Sequence, residues 1–276
     1  MDNETLRKLL PNYIQPGMGE DKLIDKIAPY IDAAETWTNG YSATSEFTDH
    51  YEHLKPLRDD IVAARALYLA APALDVTMHP NGLAVVNTDS LAPASVERSR
   101  EFRKTLDRQT IDSIDRFIAA VTSDEAVWST FYLSNPLTNI LRASIFYNCA
   151  DLIAHTGIEH SWDQYINTLR KISAIEVDIA EKLISWALLT EMRANKGPQA
   201  AQESPLYINA IQIIKRVLAD ALKEEGKHLL YERLRIIVNE IRKHPNVFPQ
   251  WHNSDTAKLY DPPVFRNDRN SGGYFF

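Results

Sequence analysis

The chain has 276 residues, 30 basic against 37 acidic for a formal net charge of −7, with 45% hydrophobic and 24% charged residues. That balance argues against disorder, collagen-like repeats and membrane-embedded bundles, and its mild acidity against a nucleic-acid binder working through bulk positive charge. The single cysteine, Cys149, rules out an internal disulfide framework and suits a reducing compartment, and nine glycines favour helices over a turn-rich sandwich.

Met1-Asp2-Asn3-Glu4-Thr5 has no basic n-region, and the longest apolar stretch, 61–74, is interrupted by Arg65 and Pro72. Neither a signal peptide nor a membrane span is expected. Leu23, Ile27, Tyr30, Ile31 and Ala34 recur at helical spacing, kinked by Pro29 and ended by Asn39-Gly40. A second helix is predicted from Asp59 to Ala71, stopped by Pro72. Residues 74–79 then alternate and are β-branched at Val76 and Thr77; Pro80-Asn81-Gly82 turns the chain and residues 83–86 return. Asn-Gly between two such runs predicts a type I′ β-hairpin near residues 74–87.

Pro93-Ala94-Ser95 opens a long helix with Phe102, Leu106, Ile114, Phe117, Ile118 and Val121 on its apolar side. Between Glu97 and Arg116 it carries six basic and five acidic residues, which predicts a salt-laced, solvated outer face. Thr122-Ser123-Asp124-Glu125 has capping-box spacing and marks an expected domain boundary. One helix is expected from about Leu137 to His155, closed at Gly157, and Ser161-Trp162-Asp163-Gln164 is a second capping box predicted to open a single helix to about Arg193. Ser204-Pro205 starts the next helix, and Leu230, Leu234, Ile237 and Ile241 lie on another, closed by Lys243-His244-Pro245. Periodicity is lost from Ser254 onward. The predicted fold is therefore all-α, helical bundles with one β-hairpin near 74–87 and an extended C-terminal tail. Its expected domains are 1–121, 122–253 and the tail 254–276.

Charge is uneven along the chain. Residues 1–60 hold 6 basic and 12 acidic side chains and residues 201–276 hold 11 and 9. Scatter over a solvated surface accounts for this, and so does head-to-tail attraction between copies.

Motifs whose chemistry dictates their spacing are missing: there is no Gly-x-Ser-x-Gly elbow, dinucleotide fingerprint, P-loop or His-Glu-x-x-His. His50 and His53, near Glu46 and Asp49, have residue types that ligate zinc, but no third His or Cys follows at motif distance and a solvated helix start is the plainer reading. His155 and His160 flank Gly157, where a histidine complements a helix C-terminus. Cys149 has Asp151 nearby and no basic neighbour, which predicts an inert, buried thiol. Trp128, Trp162 and Trp186, with Phe131, Tyr132, Phe146 and Tyr147, make an aromatic-rich middle that reads as core, or alternatively as a ligand pocket. No catalytic residue, metal or cofactor is expected. The alternative is a helical enzyme or small-ligand-binding protein using that aromatic middle.

The stretch from Ala63 through Leu74-Asp75-Val76, Pro80-Asn81-Gly82 and on to Ser95 resembles an uncharacterised family carried in prophages of anaerobic gut bacteria. So does the ending His244-Pro245-Asn246-Val247-Phe248-Pro249-Gln250-Trp251 … Ser271-Gly272-Gly273-Tyr274-Phe275-Phe276. More distantly, the helix–hairpin–helix order of residues 1–121 resembles the helical head–tail connector, or adaptor, proteins of tailed bacteriophages. The chain departs from these in being more than twice as long as the simplest members. The resemblance implies a structural virion or assembly protein in the host cytoplasm or the virion. Its partners would be itself, as a ring homo-oligomer, and portal or tail-completion proteins, with no membrane and no sequence-specific nucleic-acid binding. Candidate interface residues are Val76, Met78, Asn81, Gly82, Leu83 and Val85 of the hairpin and Phe265, Tyr274, Phe275 and Phe276 of the tail. A two-stranded hairpin has free edges, and aromatic side chains serve as interface anchors. The competing expectation is that hairpin and tail fold back over their own helices.

Overall fold

The computed structural model describes residues 1–13, 20–41, 43–74, 76–79, 82–85, 96–197, 203–223 and 230–260, and they are mostly helical. Among them, no helix is long and apolar enough to cross a membrane.

Helix α1 (Asn3–Leu9) begins where Asp2 accepts the Thr5 amide at 2.7 Å. Helix α2 (Glu20–Ile27) passes through a 3-10 turn at Ala28–Tyr30 into α3 (Ile31–Tyr41), so the bend expected at Pro29 is a tightened turn. Gly40 does not end α3 but lies inside its last turn. After α4 (Ser45–His50), capped by Thr44, comes α5 (Lys55–Leu74). Pro72 does not stop α5. A proline removes a single amide donor, and α5 is held on two sides, with Ile61 in one apolar cluster and Leu57 packed against it, and Val62, Ala66, Leu67 and Ala70 in another.

Two four-residue strands follow, β1 (Val76–His79) and β2 (Gly82–Val85), paired antiparallel with Val76 opposite Val85 and His79 opposite Gly82. The pairing corrects the expected turn: Gly82 is the first paired residue of β2 and not a central turn residue. Helix α6 (Val96–Thr122) is 27 residues long.

The second half holds α7 (Glu125–Ser134), α8 (Pro136–Arg142), α9 (Cys149–Thr156), α10 (Trp162–Ile179), α11 (Trp186–Ala194), α12 (Pro205–Ala221), α13 (Leu230–Lys243), α14 (Pro249–His252) and α15 (Asp255–Tyr260). The cap of α7 is Asp124, which accepts the Ala126 and Val127 amides, whereas the Thr122 hydroxyl donates back to Ile118 inside α6. The expected 137–155 helix is two helices, because residues 143–148 leave helical geometry to reach Glu176 and Asn148 restarts the chain as the cap of α9. Gly157, at φ +69°, closes α9 as expected.

The expected helix to Arg193 is also two. It widens into a π-helical turn at Ala180–Ile184 and breaks at Ser185 (φ +67°, ψ 149°) before α11. At α12, Ser204 accepts the Tyr207 amide at 3.2 Å with Pro205 in the first turn, matching the sequence. The tail expected to be extended from 254 is helical over Asp255–Tyr260; residues 261–276 lie outside the described residues.

Two apolar clusters organise the molecule. The smaller joins α1, α2, α3, one side of α5 and Leu106 of α6. The larger runs from Ala43 and Phe47 through Ile111–Val121 of α6 to Trp251 and Ala257. The expected boundary at 121/122 therefore falls inside one continuous core: Phe117 and Phe131 face each other across it at 6.0 Å between ring centroids.

Candidate functional site

The hairpin is joined to the most extended helical pair. Helices α5 and α6 run antiparallel, as their cross-links show: residues 60, 65 and 68 of α5 meet 113–116, 107 and 103 of α6 in turn. Asp60 accepts Ser113 Oγ at 2.8 Å, the Arg116 guanidinium and the Tyr13 hydroxyl. One turn on, the Arg65 guanidinium lies 4.3 Å from the Trp37 ring centroid and 4.6 Å from Tyr68, with Asp107 at 3.9 Å. Arg103 covers Tyr68 at 4.7 Å. Half-buried arginines stacked on aromatic faces, with Arg65 also paired to Asp107, hold the two helices in one register. Strand β1 starts two residues past the end of α5, so the ribbon sits at the tip of this braced pair.

Of the candidate interface residues, Val76, Met78, Gly82, Leu83 and Val85 belong to the paired ribbon, where Val76 faces Val85 and Met78 faces Leu83 across the ladder. Asn81, Phe265, Tyr274, Phe275 and Phe276 lie outside the described residues. Among the described residues the ribbon is a two-stranded sheet with no third strand on either edge.

The acidic side of α6 departs from the expected solvated face. Glu97, Glu101 and Asp112 are exposed, but Asp107 is buried and accepts the Trp162 amide at 3.1 Å, at the first turn of α10. Ser161 makes no side-chain cap there, so the expected capping box is replaced by a carboxylate from another helix. Asp115 accepts the Cys149 and Ala150 amides at 3.2 and 2.8 Å, at the start of α9. Burial pushes the Asp115 carboxyl up to about 6 against the pull of those two amides. Two aspartates eight residues apart on α6 thus anchor the N-termini of two second-half helices. Their signal in the sequence was position: Asp107 and Asp115 flank Ile111 at intervals of four, on the apolar stripe.

Behind α9 lies a buried charge cluster. Glu176, fully buried, accepts Ser144 Oγ, the Ile145 amide at 2.8 Å and the Arg193 guanidinium. The Lys215 ammonium meets Asp151 at 2.6 Å. The Lys196 amine donates to the carbonyls of Leu141 and Ser144, and burial pulls it down to about 7. None of these groups was singled out from sequence, because each lies far along the chain from its partner.

The other singled-out residues sit as follows. Glu46, Asp49, His50 and His53 are all exposed, and among the described residues no three His, Cys, Asp or Glu side chains converge on one point. Cys149 is buried, and burial with the nearby Asp115 pushes its thiol up, so it stays protonated. His155 donates from Nδ1 to the Asp151 carbonyl at 2.8 Å in the last turn of α9. In the aromatic middle, Phe131, Phe146 and Trp162 are core, while Trp186 is 44% exposed. A cavity of about 480 Å³ between α3, α8 and α10, lined by Tyr41, Ile140, Leu169 and Arg170, involves none of those aromatics. Tyr147 does border another, of about 380 Å³, with Asp151, Gly197 and Lys215.

Residues 14–123 match the model of a family of unknown function, DUF6712. The matched segment runs from before α2 through the β-ribbon to the residue after α6. No curated protein and no solved structure matches the chain.

Proposed function

We propose that the chain is a non-enzymatic structural or assembly protein of a (pro)phage head–tail junction, which associates with copies of itself and with portal or tail-completion proteins through the β-ribbon. The observation that carries this reading is a two-stranded ribbon at the tip of a braced helical pair. A ribbon of two strands buries little area for its own chain and leaves main-chain donors and acceptors along its edges, where a neighbour's strand can add. The helix–ribbon–helix order within the family-matched segment supports it, as does the sequence resemblance to head–tail connectors. Assembly would take place in the cytoplasm of the bacterial host, and the product would be carried in the virion.

The test is mass in solution, for the chain alone and co-expressed with a portal from the same locus. A second chain, with residues 76–85 replaced by a short glycine–serine turn, is measured beside it. A ring or a portal complex that disappears on ribbon replacement, with helicity unchanged, supports the reading. Monomers in every mixture, or assemblies indifferent to the ribbon, refute it.

A further inference from the structure

Around the connection from α11 to α12, four oxygen-bearing side chains come together away from the ribbon. Glu191 lies in the last turn of α11, Asn195 follows it as the C-cap, Glu203 precedes the cap of α12, and Tyr207 lies in the first turn of α12. Asn195 Nδ2 donates to Glu203 Oε1 at 2.9 Å, which leaves the Asn195 carbonyl oxygen as an acceptor. Tyr207 is 1% exposed and its hydroxyl has no hydrogen-bond partner; Asn195 lies beside it without reaching hydrogen-bond geometry, and both glutamates act on it electrically. Its ring is stacked on Phe248 at 5.8 Å, so the hydroxyl cannot swing out to water. Glu191 Oε2 is also buried without a partner.

The local charge is uncompensated. Burial and the Glu203 charge both push the Glu191 carboxyl up. The neighbouring cations are engaged elsewhere: Arg193 on Glu176, Lys196 on two carbonyls. Among the described residues, neither glutamate has an ion pair. Two carboxylates near each other, with two orphaned buried oxygens between two helices, amount to a donor set without its acceptor.

We propose that Glu191, Asn195, Glu203 and Tyr207 form a binding site for a hard divalent cation, calcium in particular. The ligands are oxygen only, which suits calcium or magnesium and not zinc or copper. Glu191, Asn195 and Glu203 are half-buried, so water would complete an irregular shell; calcium accepts such geometry, whereas magnesium demands a near-ideal octahedron. The Tyr207 hydroxyl would donate to a carboxylate or a cation-bound water drawn into the site. The alternative occupant is an ordered water alone, which would satisfy the orphans without answering the charge.

The test uses the full chain after chelator treatment. Thermal unfolding is followed with added calcium chloride against sodium chloride of equal ionic strength, and terbium luminescence is excited through the protein's aromatic rings. The expected result is a raised midpoint with calcium, and sensitised terbium emission that calcium displaces. Glu191→Gln and Glu203→Gln should each weaken binding by roughly tenfold or more, a loss of about 1.4 kcal/mol. Both are isosteric and relieve like-charge repulsion, so they should fold without metal, which circular dichroism checks. Tyr207→Phe should remove most of the terbium emission, because the sensitising phenol is lost at the site itself. Glu240→Gln, at an exposed position of α13, should change nothing. No calcium response and no emission from the wild-type chain would leave water as the occupant and overturn the proposal. A response that persists in the Glu191→Gln/Glu203→Gln double variant would overturn it equally, by placing the cation elsewhere.

Discussion

Asp115 and Lys196 show what burial does to single residues that the sequence presents as ordinary surface charges. Asp115 is held at about 6 in the fold, first by burial, against about 3.9 in an unfolded chain. A raised acid favours the fold while it is protonated: that contribution is fully present below about pH 3.9 and is lost as pH rises through about 6. Asp115→Asn should therefore flatten the stability curve between pH 4 and 6 relative to the wild type, measured by urea unfolding across that range. Asp115→Ala should cost about 1–3 kcal/mol at neutral pH, since it strands the amide of buried Cys149 at the start of α9, while the exposed Ala150 amide can turn to water. Lys196 is the opposite case, a base pulled down to about 7 by burial against about 10.4 unfolded. Between these values the unfolded chain binds the extra proton, so stability should rise with pH by up to about 1.4 kcal/mol per unit from this group. Lys196→Met should remove that slope, and the same titration reads it. The partners were not visible in the sequence, since Leu141 and Lys196 are 55 positions apart.

At the scale of elements, some caps local to one turn were legible, but Asp124 caps α7 in place of Thr122 and Asp107 takes the place of Ser161 at α10, and breaks imposed from elsewhere were not legible. Ser204-Pro205, Asn135-Pro136 and Gly157 do what their types dictate. Ser185 is different: at φ +67°, ψ 149° it occupies a region nearly reserved for glycine, at a cost of about 1–3 kcal/mol. Its hydroxyl does accept the Leu188 amide at 3.2 Å. Ser185→Gly should relieve the strain and lose only part of the cap, whereas Ser185→Ala keeps the strain and loses the cap. The glycine variant should be the more stable of the two by about 1 kcal/mol or more, as a difference in urea midpoints. Two glycines make a similar contrast. Both Gly157 and Gly197 have positive φ, but a Cβ on Gly157 meets open space and one on Gly197 would lie 2.3 Å from the Tyr147 ring. Gly157→Ala should cost about 1–2 kcal/mol, and Gly197→Ala distinctly more, by the same measurement.

At the scale of the molecule, the C-terminal helices complete the core that the middle of the chain leaves open. The π-helical turn directs carbonyls away from the regular ladder, and later side chains take them: Trp251 Nε1 donates to Leu183 O at 2.8 Å and the Tyr260 hydroxyl to Lys182 O at 3.1 Å. Truncation after Asn253 removes α15 with its buried Ala257, and should lower the melting temperature of the monomer. Truncation after Tyr260 keeps those contacts and removes only residues 261–276, including Phe265 and the terminal aromatics. If the tail aromatics are interface anchors, as the sequence suggests, the second cut should leave the melting temperature within experimental scatter and weaken assembly; a cut after Tyr260 that destabilises the monomer and spares assembly would assign those aromatics to the chain's own core.

The sequence by itself determined the helical class, the starts of α6, α8, α10 and α12, the core faces of α6 and α13, and the burial of Cys149. Each follows from interactions within a few residues, where periodicity and cap chemistry act. Only the tertiary structure decided that one core continues across residue 121, that Pro72 stays inside α5, and that two long predicted helices are broken. It also decided that Asp107, Asp115 and Glu176 are internal supports, and that Glu191, Glu203 and Tyr207 share one corner. In each case the deciding group is a distant carboxylate, carbonyl or ring. The free energy of a buried polar group is set by its partner, and a linear sequence does not say which partner that is.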